Sequence, residues 1–485
     1  MKIRFLRSTL VACAALVMAA CGGGGSYSAN NSTGAVGATT QTTAVTGTIT
    51  GFGSVHVNGI HFNTNSAAIS RNGAPALQSD LRVGQVVKVR GSVNDSTGEG
   101  VASSVSQDDN VEGPISSIDV AGKKFVVLGQ TIIVDTSTSF DDRISPASIA
   151  GLKVNDQVEV SGMVGATGDI TATRIELRKP GVTQLEVTGK VSGLDSANRK
   201  FKINALTVNY STAQLEGFAT GAPANDDLVE ARGNALNAAG ELVATKVEKE
   251  TNEARDADRG DRREVEGMIT RFASKTDFDV AGRKVTTNAS TRYENGTETD
   301  LALNARVEVE GSLDAAGLVL LAAKIEFRKG GGAGIAGKVG SVDKTNKKVT
   351  VMGVEITLTA TTRLEDKSTA KVEMFSIDNI NSGDYLIVRG TETAANKMTA
   401  TRIERRNAVA EVRVRGTARD VVAPKFTVLG VTVETNASTR FEVDDNQMMT
   451  ATQFFTGLAG KVVTVVGTMS GTSLIASKVE FADED

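Results

Sequence analysis

The chain is poor in the residues on which most enzymatic and redox chemistry rests. Its 485 residues include two cysteines, two histidines, six prolines and no tryptophan, and aromatics make up 4%. Both cysteines, Cys13 and Cys21, lie near the N-terminus, so nothing downstream can form a disulfide or act as a thiol nucleophile. The scarcity of aromatics argues against base or sugar stacking as the main activity. A formal charge of −4 without a dense basic block makes a poor electrostatic partner for nucleic acid, and none is expected. Acidic residues are scattered, and no pair of them is singled out as a catalytic couple. The expectation is a protein that is not an enzyme and carries no cofactor.

What is present begins with a leader. Lys2, Arg4 and Arg7 precede the apolar run Leu10–Ala20, which is too short to span a bilayer comfortably. The run ends Leu16-Val17-Met18-Ala19-Ala20-Cys21, which resembles the lipobox of bacterial lipoproteins. That resemblance implies a signal peptide over 1–20 and acylation of Cys21 as the mature N-terminus. Gly22 rather than aspartate follows the cysteine, so the sorting rule of that family points to the bacterial outer membrane. The anchored array would face the periplasm or the cell surface. Residues 21–43, rich in Gly, Ser, Thr, Asn and Ala, read as a flexible tether.

Beyond the tether the dominant signal is internal repetition. A strand of the form V-x-G-x-[IV], or close to it, recurs as VTGTI, VEGPI, VTGKV, VEGMI, IAGKV and VRGTA. Its glycines are Gly47, Gly113, Gly189, Gly267, Gly337 and Gly416. Each is followed by a hairpin pattern such as GSVHVNGIHF or KFTVLGVTVET, then by segments such as NASTRY, TATTRL or NASTRF. An alternating strand closed by glycine comes next (VEVSG, VEVEG, VTVVG), and a final strand such as TATRIELR or IASKVEF ends the copy. Period-2 alternation throughout predicts half-buried strands. A short helix or turn is predicted between the third and fourth strands, at Ile144–Asp156, Asp300–Ala305 and Gln447–Gly460.

Three strands, a short helix and two strands is the order of an OB-like barrel. The predicted fold is therefore all-β with short helices: six tandem five-stranded OB-like β-barrel modules, each with its own small core. The boundaries read as module 1 at 44–110, module 2 at 111–181 and module 3 at 182–249. A charged linker follows at 250–263, then module 4 at 264–329. A Gly-rich linker with module 5 covers 330–408, and module 6 covers 409–485. The two linkers suggest an articulated array. Taken together, the lipobox and the repeated V-x-G-x-[IV], G-S-x-x-V-N-G-[IV]-x-F and [VI]-x-V-x-G elements resemble bacterial envelope proteins carrying the domain of unknown function 5666. The resemblance implies a β-rich exported module and assigns it no catalytic residues.

Four candidate sites follow. In GFGSVHVNGIHF the Asn58-Gly59 turn sets His56 opposite His61 across a hairpin, two ligands of a possible metal site. The same slots hold Val126 and Thr131, Lys202 and Thr207, or Asp279 and Lys284 in other copies, so a solvent-facing cross-strand pair is the simpler reading. Gly332-Ala-Gly334-Ile-Ala-Gly337-Lys338 has glycines at phosphate-loop spacing but leads into a strand, which removes the helix N-terminus such a loop needs. Asp256, Asp258 and Asp261, with the adhesion-type tripeptide Arg259-Gly260-Asp261, fall in the charged linker and read as solvated charge. Finally, the last strands carry Arg174/Glu176, Lys246/Glu248, Lys324/Glu326, Arg402/Glu404 and Lys478/Glu480 at i, i+2, each pair on one face. These form a candidate charged interaction face.

The sequence-level expectation is a non-enzymatic, lipid-anchored envelope protein displaying repeated modules for structural or protein/polymer interaction. Its partners would be the membrane, through Cys21, and an envelope protein or polysaccharide. The alternatives are a ligand-binding lipoprotein recognising an envelope polysaccharide or peptide in OB-like grooves, and metal binding at His56/His61.

Overall fold

Alternation of apolar and polar residues does produce strands along the whole repeated region. The computed structural model describes residues 40–94, 97–178, 181, 183–250, 262–328, 331–443 and 447–482. Cys21 and its leader, and the Asp256–Asp261 run, lie outside the described residues. In module 1 the main strands are Thr40–Phe52, Val55–Val57, Ile60–Asn63, Val86–Asn94 and Glu99–Gln107. The first pairs with the second and the fourth, the second with the third, the third in parallel with the fifth, and the fifth with the fourth. Pairing thus returns to its starting strand. Modules 2 and 4 repeat the circuit, and module 3 does so with its first strand interrupted at Val191, as Leu185–Lys190 and Ser192–Asp195. Modules 5 and 6 complete the set.

The two recurring glycines have distinct steric reasons. The V-x-G glycine lies beneath the hairpin turn of its own module. A Cβ on Gly113 would sit 2.8 Å from Leu128 Cγ, and one on Gly416 3.4 Å from Leu429 Cγ. Leu128 and Leu429 occupy the left-handed turn position, with φ of 46° and 51°, and are buried. That conformation is costly for leucine, and burial of the side chain over the glycine offsets the cost. The glycine closing the fourth strand marks a break in register with the final strand, as at Ser161/Gly162 and Glu310/Gly311. Any Cβ there would meet the carbonyl of Thr171 or Leu321, so these are bulges in which only glycine fits.

Between the third and fourth strands the expected helix is a single 3-10 turn in modules 1, 2, 4 and 5, at Gln78–Asp80, Ile149–Gly151, Glu298–Asp300 and Ile377–Asn379. Module 6 has an α-helix there, Ala451–Gly457, capped by Thr450, whose hydroxyl accepts from Gln453 N at 3.3 Å. The recurring threonine of the NASTR segments ties this region to the last strand. Thr291 and Thr439 donate to Ala322 O and Ala476 O, at 2.8 and 2.7 Å.

Four expectations require correction. The modules are not isolated barrels, because strand pairing runs across their boundaries into sheets of 13, 13 and 11 strands. The N-terminal half of each first strand uses one edge for its own fourth strand and offers the other. Each offered edge is filled by the same half-strand of another module. Modules 2 and 3 meet antiparallel at Glu112↔Glu186 and Val111↔Val187, and modules 5 and 6 antiparallel at Gly334–Ala336. Modules 1 and 4 meet in parallel, Thr43–Thr46 beside Arg262–Val265. Separate cores hold only for modules 1 and 4, whereas modules 2 and 3 share one core and modules 5 and 6 another. The array is not articulated, since all six modules fall in one compact unit. Strand pairing also recruits residues read as tether and linker: Thr40–Thr43, Arg262–Arg263 and Ala333–Gly334 are strand residues.

The glycine notch yields a direct test. Gly113→Val forces the Leu128 turn off its seat and is expected to destabilise by ~1–3 kcal/mol, read by urea unfolding. Gly332→Ala, which meets nothing within 4 Å, is expected to leave the midpoint unchanged.

Candidate functional site

The charged final-strand pairs divide into two groups, and the division corrects the expectation of one solvent-facing ladder. In modules 2 and 5 they are largely buried and face each other. Arg174 Nη1 lies 3.4 Å from Glu365 Oε1, and it also donates to Val83 O of module 1 at 2.9 Å. Arg402 Nη1 donates to Thr138 O of module 2 at 2.6 Å, and its other amino group pairs with Glu404. Lys367, with 2% of its side chain exposed, donates to Phe140 O and lies 3.6 Å from Asp142 and 3.7 Å from Glu404. Glu176 accepts from Gln85 of module 1 at 3.0 Å. These side chains act as joints between modules 1, 2 and 5. Their strands are brought together by packing that no single strand reveals.

In modules 3, 4 and 6 the corresponding pairs keep solvent contact and close on themselves. Lys246 pairs with Glu248 and Glu216 at 2.7 and 2.9 Å, and Lys478 with Glu442 and Glu480 at 2.9 and 3.0 Å. Lys324 lies 3.4 Å from Glu310, and Glu326 accepts from Arg328 at 2.7 Å. The sequence reading missed the strand beside each pair. The second half of NASTRY, TATTRL and NASTRF is a short strand carrying R-x-E, which lies parallel to the final strand with like charges in register. Arg292 stands beside Lys324 and Glu294 beside Glu326; Arg440 stands beside Lys478 and Glu442 beside Glu480. The recurring R-x-E was its visible signal.

A second missed feature is the acid-rich junction of modules 1, 2 and 3. Asp109, Glu112, Glu186 and Glu230 are buried there. Arg178 pairs with Glu112 at 3.0 Å and Glu159 at 3.5 Å, Arg232 with Glu186 at 3.1 Å and with Glu230, and Arg71 with Glu159. Carboxylates outnumber these guanidiniums, so burial and mutual repulsion favour protonated acids. Burial, with Glu159 and Glu112, pushes Asp109 up to about 8. Burial, with Glu230 and Glu112, pushes Glu186 to about 9. Glu266, at the junction of modules 1 and 4, goes the other way. Burial would raise it, but Arg306, Arg328 and the Thr48 N–H at 2.9 Å hold it at about 2. The glutamates of V-E-G, Glu112 and Glu266, were legible as charges inside apolar strands, but their partners were not.

His56 and His61 pair as the hairpin predicts, and Asn58 and Gly59 form the turn with φ of 52° and 81°. The neighbours Val55, Val57, Ile60 and Phe62 are buried while the histidines face outward, half-buried. Their rings stack with centroids 3.9 Å apart and planes 10° from parallel, and His61 Nδ1 lies 3.5 Å from Glu99. An ion held by both imidazoles must lie near both ring planes, so the rings would have to leave the stack to chelate. Burial and the neighbouring His61 lower His56 to about 4, which suits a neutral stack. Gly332–Lys338 runs into the strand Ala333–Asp343 with no helix after it, leaving no helix terminus to meet phosphate.

Six strand circuits, each with the same glycine bulge, define a tandem β-module protein. Residues 43–106, 112–176, 188–248, 266–326, 336–404 and 415–480 each match the family described as domain of unknown function (DUF5666), and the chain belongs to that family. No curated protein matches the chain.

The acid-rich junction predicts an unusual pH dependence. Asp109 and Glu186 keep protons in the folded state that the unfolded chain releases above about pH 4. Their contribution is therefore complete below about pH 4 and is lost as pH rises toward 8. The melting temperature is expected to fall between about pH 5 and pH 8, and Asp109→Asn with Glu186→Gln to flatten that fall, read by scanning calorimetry.

Proposed function

We propose that the chain is a non-enzymatic, lipid-anchored scaffold of the bacterial envelope, held at the outer membrane through Cys21. It would present its modules to an envelope protein or polymer. The observation that carries the reading is where the ionisable groups go. The buried acids and bases described above lie at joints between modules, each facing a counter-charge or a carbonyl, rather than converging on an open cleft as a catalytic constellation would. Interlocking of this kind suits a rigid display element. Each module is read as an OB-like barrel, supported by the closed five-strand circuit, the parallel third–fifth contact and the turn preceding the fourth strand. The lipobox supports the anchor. Cys21→Ala is expected to move the protein from the membrane to the soluble fraction and to abolish acyl labelling. Protease treatment of intact and permeabilised cells then assigns the face: digestion on intact cells places the array outside, and protection until permeabilisation places it in the periplasm.

A second reading, ligand binding, is favoured by one observation on module 6. A cleft of about 780 Å³ opens between the helix Ala451–Gly457 and the hairpin, lined by Val421, Pro424, Phe441 and Phe455 among others. Thr435 turns its hydroxyl to Pro424 O at 3.0 Å, which leaves mainly apolar surface on offer. That chemistry suits an apolar peptide side chain better than a polysaccharide. On this reading a peptide carrying such a side chain raises the melting temperature in a thermal-shift screen, and Phe455→Ala removes the shift.

A further inference from the structure

The charged patch built from an R-x-E strand and its neighbouring final strand has a demonstrated use within the chain. In module 5 the patch consists of Arg363, Glu365, Arg402 and Glu404, with Arg363 beside Arg402 and Glu365 beside Glu404. It is spent on docking another module. Arg402 reaches Thr138 O, just before the short strand Ser139–Phe140, while Arg363 Nη1 reaches Thr173 O at 3.5 Å and Glu365 meets Arg174, both on the final strand of module 2. The patch thus serves as a joint, through one ion pair to Arg174 and hydrogen bonds from its guanidiniums to backbone carbonyls of module 2.

Module 4 carries the same arrangement with its outer strand uncovered. Arg292 and Lys324 form a cationic row, and Glu294 and Glu326 an anionic one. Arg292 and Glu294 are exposed, and among the described residues their strand, Arg292–Glu294, has one strand neighbour. A two-fold axis running across these strands would set the cationic row of one patch on the anionic row of another. Such a surface complements itself, as a closed two-fold interface requires.

We infer that module 4 docks onto module 4 of a second copy of this chain through Arg292, Glu294, Lys324 and Glu326. The inference deepens the scaffold reading and rests on its claim that the modules serve interaction, but not on the anchor. Charge complementarity and the use of the same patch between modules 2 and 5 decide the partner. Both outer residues are exposed, so changing them leaves the core intact.

The test is sedimentation velocity on the full chain carrying Cys21→Ser, at about 50 mM and about 500 mM NaCl. A dimer that weakens at the higher salt is expected, because the pairing charges are partly solvated and screened. Arg292→Glu and Glu294→Arg, each alone, are expected to raise the dimer dissociation constant by about tenfold or more. Mixing these two variants restores a dimer, and so does the double swap Arg292→Glu with Glu294→Arg, since both recover opposed rows. Association through the apolar leader would instead strengthen with salt and ignore all of these substitutions, which overturns the inference. So does a monomer at low salt and high concentration. Failure here leaves membrane release by Cys21→Ala untouched, so the two readings fail separately.

Discussion

An unpaired strand edge is the constraint on which this structure depends. Each module closes its pairing circuit with a first strand that serves two neighbours on opposite edges, its fourth strand early and its second strand late. The early half is left with one open row of backbone donors and acceptors. Such an edge invites pairing with whatever chain is near. In all six modules it is sealed by the equivalent edge of a sister module, over two to four residues of register. The modules are consequently joined in pairs.

The order of pairing gives the array its integrity. Modules 2 and 3, and modules 5 and 6, pair with their chain neighbours and merge their cores. Modules 1 and 4 pair although the 2–3 pair separates them in sequence. Their cores stay separate, so a parallel ladder and the Thr48 N–H, which donates to Glu266 at 2.9 Å, carry that joint. Charge then locks one pair to the next. Buried ion pairs add little net stability against an apolar alternative, but removing one partner is costly. They favour one arrangement of modules over others, which hydrophobic packing between similar modules would not discriminate.

Repetition hides a division of labour. The same R-x-E patch is a buried joint in module 5 and an open surface in module 4. The same hairpin slot holds a stacked His56–His61 pair in module 1 and Asp279 opposite Lys284 in module 4. The V-x-G glycine leaves room for a hairpin residue above it, a turn residue in modules 1, 2, 4, 5 and 6 and Ile203, just before the turn, in module 3. Backbone geometry is thus repeated faithfully, whereas side chains on its outer face are free to take separate duties.

The amino-acid sequence by itself determined the number of copies, the five main strands of each and the facing partners in every hairpin. Alternation, turn residues and β-branching act within a few residues, so they can be read along the chain. The pairing of His56 with His61 and of Thr427 with Thr432 follows from the turn alone. Only the tertiary structure decided which module joins which, that cores merge in two pairs, and that Arg174, Lys367 and Arg402 are joints rather than surface. Edge pairing is made by backbone hydrogen bonds, which carry no side-chain signature. A charged residue on a half-buried strand reads the same whether water or another module covers it.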